Sequence, residues 1–203
     1  MVIGVDGLTN ATEAGTPVSD NGSQTWSVAI STVFHGATRN MHRYAKNITG
    51  RVGHSFTYTA PSSGGFPSIA VVELGGADPT SPFDLQNSGG NASSSTNPHG
   101  TGLTGTLAQS DEIAVAGMTH AGASNEAFAS AQGFTVQTEQ DNTASMPVVL
   151  STKVLASTAS LQEQYNLTPD SSVVWTASIS TYKYTPGADP SSMEGFSRHS
   201  PRP

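Results

Sequence analysis

Six histidines (His35, His42, His54, His99, His120 and His199) and fifteen carboxylates are the side chains with which this 203-residue sequence could do chemistry. Their spacing matches none of the usual sites. No HExxH occurs, and no histidine pair stands beside a carboxylate at metal-ligand spacing. His42 and His54 suit facing positions across a hairpin, where paired surface imidazoles are commoner than ligands. For calcium there is no EF-hand pattern. Asp78 and Asp84 in GGADPTSPFD could join carbonyl oxygens around an ion, although Asp78 also suits the cap of a turn before Pro79. No GxSxG elbow follows a strand, and a Ser-His-Asp triad is defined by geometry rather than by presence. Glu73 lies inside the apolar run SIAVVEL, while Asp111 and Glu112 open another. A carboxylate there is either a raised-pKa acid or, more ordinarily, a solvent-facing residue. Phosphate-cradling glycine loops are absent. The sequence predicts no catalytic residues, no metal ligands, no cofactor and no enzyme.

Side chains suited to binding are more evident. Arg39, Arg43, Lys46 and Arg51 are half of the eight cations and fall between His35 and His54. They predict a hairpin with a solvated basic face, or a docking patch for an acidic partner or polyanionic glycan. Tyr44 and Tyr182 are the candidates for stacking on a sugar. Trp26 and Trp175 stand in phase with apolar neighbours and are expected in the core. The formal net charge of −7 argues against nucleic acid as the main partner. With no cysteine, neither a disulfide nor a thiolate metal site is available. The opening MVIGVDGLTNATEAG has no basic or apolar region and predicts no signal peptide, and no apolar run has the length of a membrane span. Asn-x-Ser/Thr sequons at Asn10, Asn21, Asn47, Asn91 and Asn166 are expected by chance in a chain so rich in these residues.

The elements that position these residues read as β-strands. Charged residues make up 11% of the chain against about 25% in a typical domain, and Ser, Thr, Asn and Gly fill the difference. That composition suits short strands joined by many turns. Period-2 alternation places Trp26, Val28 and Ile30 on one face, then Phe56 with Tyr58. It places Val173, Trp175, Ala177 and Ile179 against a wet face of Thr176, Ser178 and Ser180. SIAVVEL, EIAVAGM and PVVLSTKVLA read as core strands, GFTVQTE as another, and MHRYAKN as a polar edge strand. The joints are Gly, Pro and Asx turns. AGASNEAFASA, from Ala121 to Ala131, is the one place where a short helix is expected. Residues 87–105 are Gly/Ser/Asn-rich and predict a long loop. The fold predicted is an all-β, two-sheet antiparallel sandwich of jelly-roll type over 1–184, with eight or nine strands and little helix. Residues 185–203 form a Pro/Ser-rich arm carrying Phe196, Arg198 and Arg202.

WSVAIS…MHRYAKNITGRVGHSFTYTA, FPSIAVVELGGADPTSPFD and SSVVWTASISTYK together resemble a β-sandwich domain of bacteriophage virion structural proteins and bacterial surface proteins. The likeness spans roughly residues 20–183 and consists of strands and turns without a catalytic signature. It implies a further strand upstream of Trp26, for which only VIGV is available, so that strand is expected to be short, missing or supplied by another subunit. An open edge invites pairing with another chain. The resemblance therefore implies a non-enzymatic virion subunit, a capsid decoration or tail-surface protein made in the host cytoplasm. Its partners would be copies of itself and other virion proteins, held through strand edges and the arm, with no nucleic acid and no membrane. The alternative is a carbohydrate-binding module of a microbial surface or secreted protein.

Overall fold

The computed structural model describes residues 1–9, 18–36, 38–49, 53–58, 68–95, 97–121, 126–140, 147–170 and 172–185. In chain order the strands are β1 (Val2–Thr9), β2 (Val18–Asp20), β3 (Ser27–His35), β4 (Thr38–Ala45), β5 (Phe56–Tyr58), β6 (Ser68–Glu73) and β7 (Phe83–Ser95). They continue with β8 (His99–Gly100), β9 (Asp111–Ala121), β10 (Ala127–Ser130), β11 (Thr135–Gln140), β12 (Val148–Ala156), β13 (Gln164–Thr168) and β14 (Val173–Lys183). No helix occurs among the described residues. The all-β antiparallel sandwich predicted from alternation is the fold observed, built from fourteen strands rather than eight or nine.

The strands form three layers. A four-stranded sheet, β3-β4-β1-β6, faces a five-stranded central sheet, β11-β12-β9-β14-β7. A small sheet, β10-β13-β8, covers the other face of the central sheet. The two-residue-period patterns of β9, β12 and β14 explain why the central sheet can be covered twice. Ile113, Val115, Val148, Leu150 and Tyr182 point to the four-stranded sheet, where they meet Ile3, Val5, Ile30, Ala70 and Val72. Ala114, Ala116, Met118, Val149, Ala177 and Ile179 point the opposite way, to Phe128, Tyr165 and Leu167 of the small sheet. The β2-β5 ribbon forms the remaining pair.

Five expectations are corrected. β1 is neither missing nor borrowed: it is eight residues long and pairs with β4 on one side and β6 on the other. MHRYAKN is not an edge, because its residues in β4 lie between β3 and β1 and are almost all buried. The 87–105 loop is largely strand, since β7 continues to Ser95 along β14. Its small residues have a steric reason. A Cβ on Gly89 would lie 2.2 Å from Gly100 O, and one on Gly90 would lie 2.2 Å from the His35 ring. Where a helix was expected around 121–131, Ala127–Ser130 is strand, while 122–125 lies outside the described residues. In β3 the pairing with β4 shifts between Val28 and Ile30. This irregularity takes Val28 out of phase: it is 47% exposed while Ala29 and Ile30 are buried.

Candidate functional site

β4 and β14 face one another across the main core, and their inward positions are polar on both sides. Thr38, Asn40 and His42 meet Thr176, Ser178 and Ser180, all of them buried. This corrects the reading of Thr176, Ser178 and Ser180 as a wet face. Thr38 Oγ1 donates to His35 O at 2.9 Å and lies 2.6 Å from Thr176 Oγ1. Ser178 Oγ donates to Asn40 Oδ1. It also lies 2.9 Å from His42 Nε2, while His42 Nδ1 is 2.8 Å from Ser180 Oγ. Ser180 Oγ in turn is 3.0 Å from the Tyr182 hydroxyl.

Burial holds His42 neutral, with its pKa pushed down to about 3. A neutral imidazole carries a single N–H. His42 therefore donates to only one of the two serines, whose own hydroxyls donate to Asn40 Oδ1 and to the Tyr182 hydroxyl. Serine and histidine here have the proximity of a nucleophile and its base, but they lie inside a sealed interface and hold two sheets together.

The second interface, between the central sheet and the small sheet, holds different chemistry. His99, His120, Glu126 and Glu163 are all buried on this side, and Glu112 is buried near the start of β9 beside Asp84 and Thr181. His120 Nε2 is 3.3 Å from Glu126 Oε2. The rings of His99 and Trp175 are 5.1 Å apart, and those of His120 and Phe128 5.6 Å. Neither ring nitrogen of His99 has a hydrogen-bond partner among the described residues. Burial, then the neighbouring His120, push His99 down to about 4 against the pull of Asp170 and Glu126. Glu163 is pushed up to about 7 by burial, with Ser130, Lys153 and two backbone amides opposing. Glu112 also rises to about 7, by burial and by the carboxylate of Asp84 beside it, against Thr181 and the Gln109 amide. Asp84 accepts from the Ala108 amide at 2.9 Å. Among the described residues, no group of three or more histidines and carboxylates is placed to hold a metal ion.

The residues singled out for binding are dispersed. Arg39 and Arg43 are each 1% exposed, so β4 presents no solvated basic face through them. The outer side of the four-stranded sheet is covered, and Arg39 Nη2 donates to the Tyr58 hydroxyl of β5 at 3.0 Å. Lys46 is exposed and donates to Thr80 O. Arg51, Phe196, Arg198 and Arg202 lie outside the described residues. Tyr182 is fully buried, contrary to its expected place on an exposed surface. Tyr44 is stacked on Phe83 and packs edge-on against Tyr182, so the two tyrosines plug one end of the core. Asp78 accepts from the Thr80 and Ser81 amides, which hold its carboxyl below the usual range, so it caps its turn. Glu73 ends β6 on the exposed side. Sequence reasoning missed the His42 row and the His99 cluster. For the first the signal was present, as polar residues at every second position of both the Thr38-to-His42 and Thr176-to-Ser180 segments. Comparison of the chain with protein-family models, curated proteins and solved structures finds no match.

Proposed function

We propose that this protein is a non-enzymatic structural subunit, of the bacteriophage virion type, that works by assembling with copies of itself and with other virion proteins. The observation that carries the reading is the set of long strands paired on one side only among the described residues. β3 and β6 end one sheet, and β7 and β11 end the next. Such edges offer rows of backbone donors and acceptors to another chain. β3 also presents Val28, 47% exposed, beside that edge. In the same direction, the side chains best suited to chemistry are committed to the interior, where they join sheets. Thr185, whose amide donates to Gly76 O, ends the described residues, and the arm of residues 185–203 is the second proposed contact.

Light scattering on three proteins tests this: the full chain, the chain ended at Thr185, and Val28→Lys. The full chain is expected to form a trimer or larger assembly. The truncation is expected to abolish it and Val28→Lys to weaken it, because a charge on an edge strand opposes pairing. A full chain that stays monomeric alone and leaves capsids undecorated would refute the proposal. A truncated chain that assembles normally would remove the arm from it.

A further inference from the structure

The interior ionisable groups are unequally divided between the two interfaces. Between the two large sheets the only histidine or carboxylate among the buried residues is His42, fully engaged by Ser178 and Ser180. On the side of the small sheet lie His99, His120, Glu126 and Glu163. Attachment also differs. No strand of β10-β13-β8 is laddered to the central sheet. The small sheet is held by apolar packing of Phe128, Tyr165 and Leu167 and by a few polar contacts. These include Ser151 Oγ with the Tyr165 hydroxyl at 2.7 Å and the Phe128 amide donating to Glu139 at 3.3 Å.

His99 is the weak point of that attachment. It enters from β8 opposite Tyr165 of β13 and lies against Trp175 of β14. Charged and titratable groups face it from each side: His120 of β9, Glu126 ahead of β10, and Asp170 in the turn after β13. Glu126 is already 3.3 Å from His120. Asp170 is engaged by the Asn97 amide at 3.1 Å. Glu163, with Lys153 opposite, lies in the same layer. A proton on His99 therefore creates a buried cation whose two N–H groups have no acceptor among the described residues. Leaving such a group unpaired costs more than exposing it.

We propose that the β8-β10-β13 sheet is an acid-released cover, detached from the central sheet when His99 is protonated. The face it bares carries Ala116, Met118, Val149, Ala177 and Ile179. The sign follows from the neutral form being the one that fits. His99 is held down from 6.5 to about 4. Its contribution to holding the cover is complete above 6.5 and is lost as pH falls through 4.

Hydrogen exchange, expressed as protection factors, tests this on the full chain. In Glu163→Gln, which removes the opposing titration of Glu163 in the same layer, protection at Ala127–Ser130 and Gln164–Thr168 should fall more than about tenfold between pH 6.5 and 4.5 relative to β1 and β4. Adding His99→Phe, which keeps the ring and removes the titration, should hold protection level over that range. With Trp26→Phe added to Glu163→Gln instead, where Trp175 is the sole indole, fluorescence should follow the same curve. Equal loss of protection in cover and core, or an unchanged acid limb in His99→Phe, overturns the proposal. If His99→Phe does not fold, the cover-against-core comparison in Glu163→Gln alone still decides.

Discussion

Ser178 is where single-residue energetics are sharpest. Its hydroxyl serves Asn40 Oδ1 and His42 Nε2 at once, all three residues being buried. Ser178→Ala removes one oxygen and strands two polar partners, so a loss of about 2–4 kcal/mol in urea unfolding is expected, at the upper end of what buried unpaired groups cost. Replacing Asn40, His42 and Ser178 together by apolar residues should cost less than the serine change alone, because only Ser180 then loses a partner and it keeps the Tyr182 hydroxyl. An additive result in that series would contradict the sharing of the Ser178 hydroxyl between Asn40 and His42. The same row marks what sequence could reveal at this scale. Alternation in SVVWTASISTY was legible residue by residue. Which face was inside was not, because polar residues read as solvent-facing unless their partners, 138 positions away for Thr38 and Thr176, are known.

Strand-scale behaviour turns on β7. A chain of Gln, Asn, Ser and Gly lacks the branched residues that announce a strand, and it was read as loop. Its place is explained by what it packs against: the 99–102 segment and the His35 ring approach so closely that only glycine fits. Gly89→Ala should therefore destabilise by about 1–3 kcal/mol, as overpacking does, because the obstructing atom is backbone and cannot rotate away. Gly75 has nothing within 4 Å of a built Cβ, and Gly75→Ala should leave the unfolding midpoint unchanged within error. Equal effects at the two glycines would remove the steric account. By contrast β9 and β12 were legible because apolar residues recur on both faces, which only a doubly covered sheet requires, and β14 because Val173, Trp175, Ala177 and Ile179 alternate with polar residues. β4 escaped recognition for the opposite reason. Its arginines and histidine look like an edge, yet the edge is taken by β3.

Over the whole molecule, stability should depend on pH from the alkaline side as well. Glu112 and Glu163 are raised from 4.5 to about 7, so the folded protein binds protons that the unfolded chain releases. That contribution is complete below 4.5 and is lost as pH rises through 7. Because the depressed His42 and His99 act with the opposite sign, the expected outcome is a difference: between pH 5 and pH 8 the wild-type urea midpoint should fall relative to that of Glu112→Gln with Glu163→Gln. A difference that is level or rises across this range would show that the two carboxyls are ionised without cost. The fold class and single-sandwich plan were legible from composition and periodicity. The third layer was not, because β8, β10 and β13 contribute two, four and five residues and carry no pattern of their own.

The polar row between β4 and β14 has one more consequence. Two oily sheets can slide past one another by a residue pair at little loss, since one methyl group replaces another. A row of specific polar pairs permits no such displacement: a shift of two residues would bring His42 opposite Tyr182 and take Thr176 away from Thr38. The row thus acts as a key cut for a single alignment, and it spends cohesion to exclude near-misses.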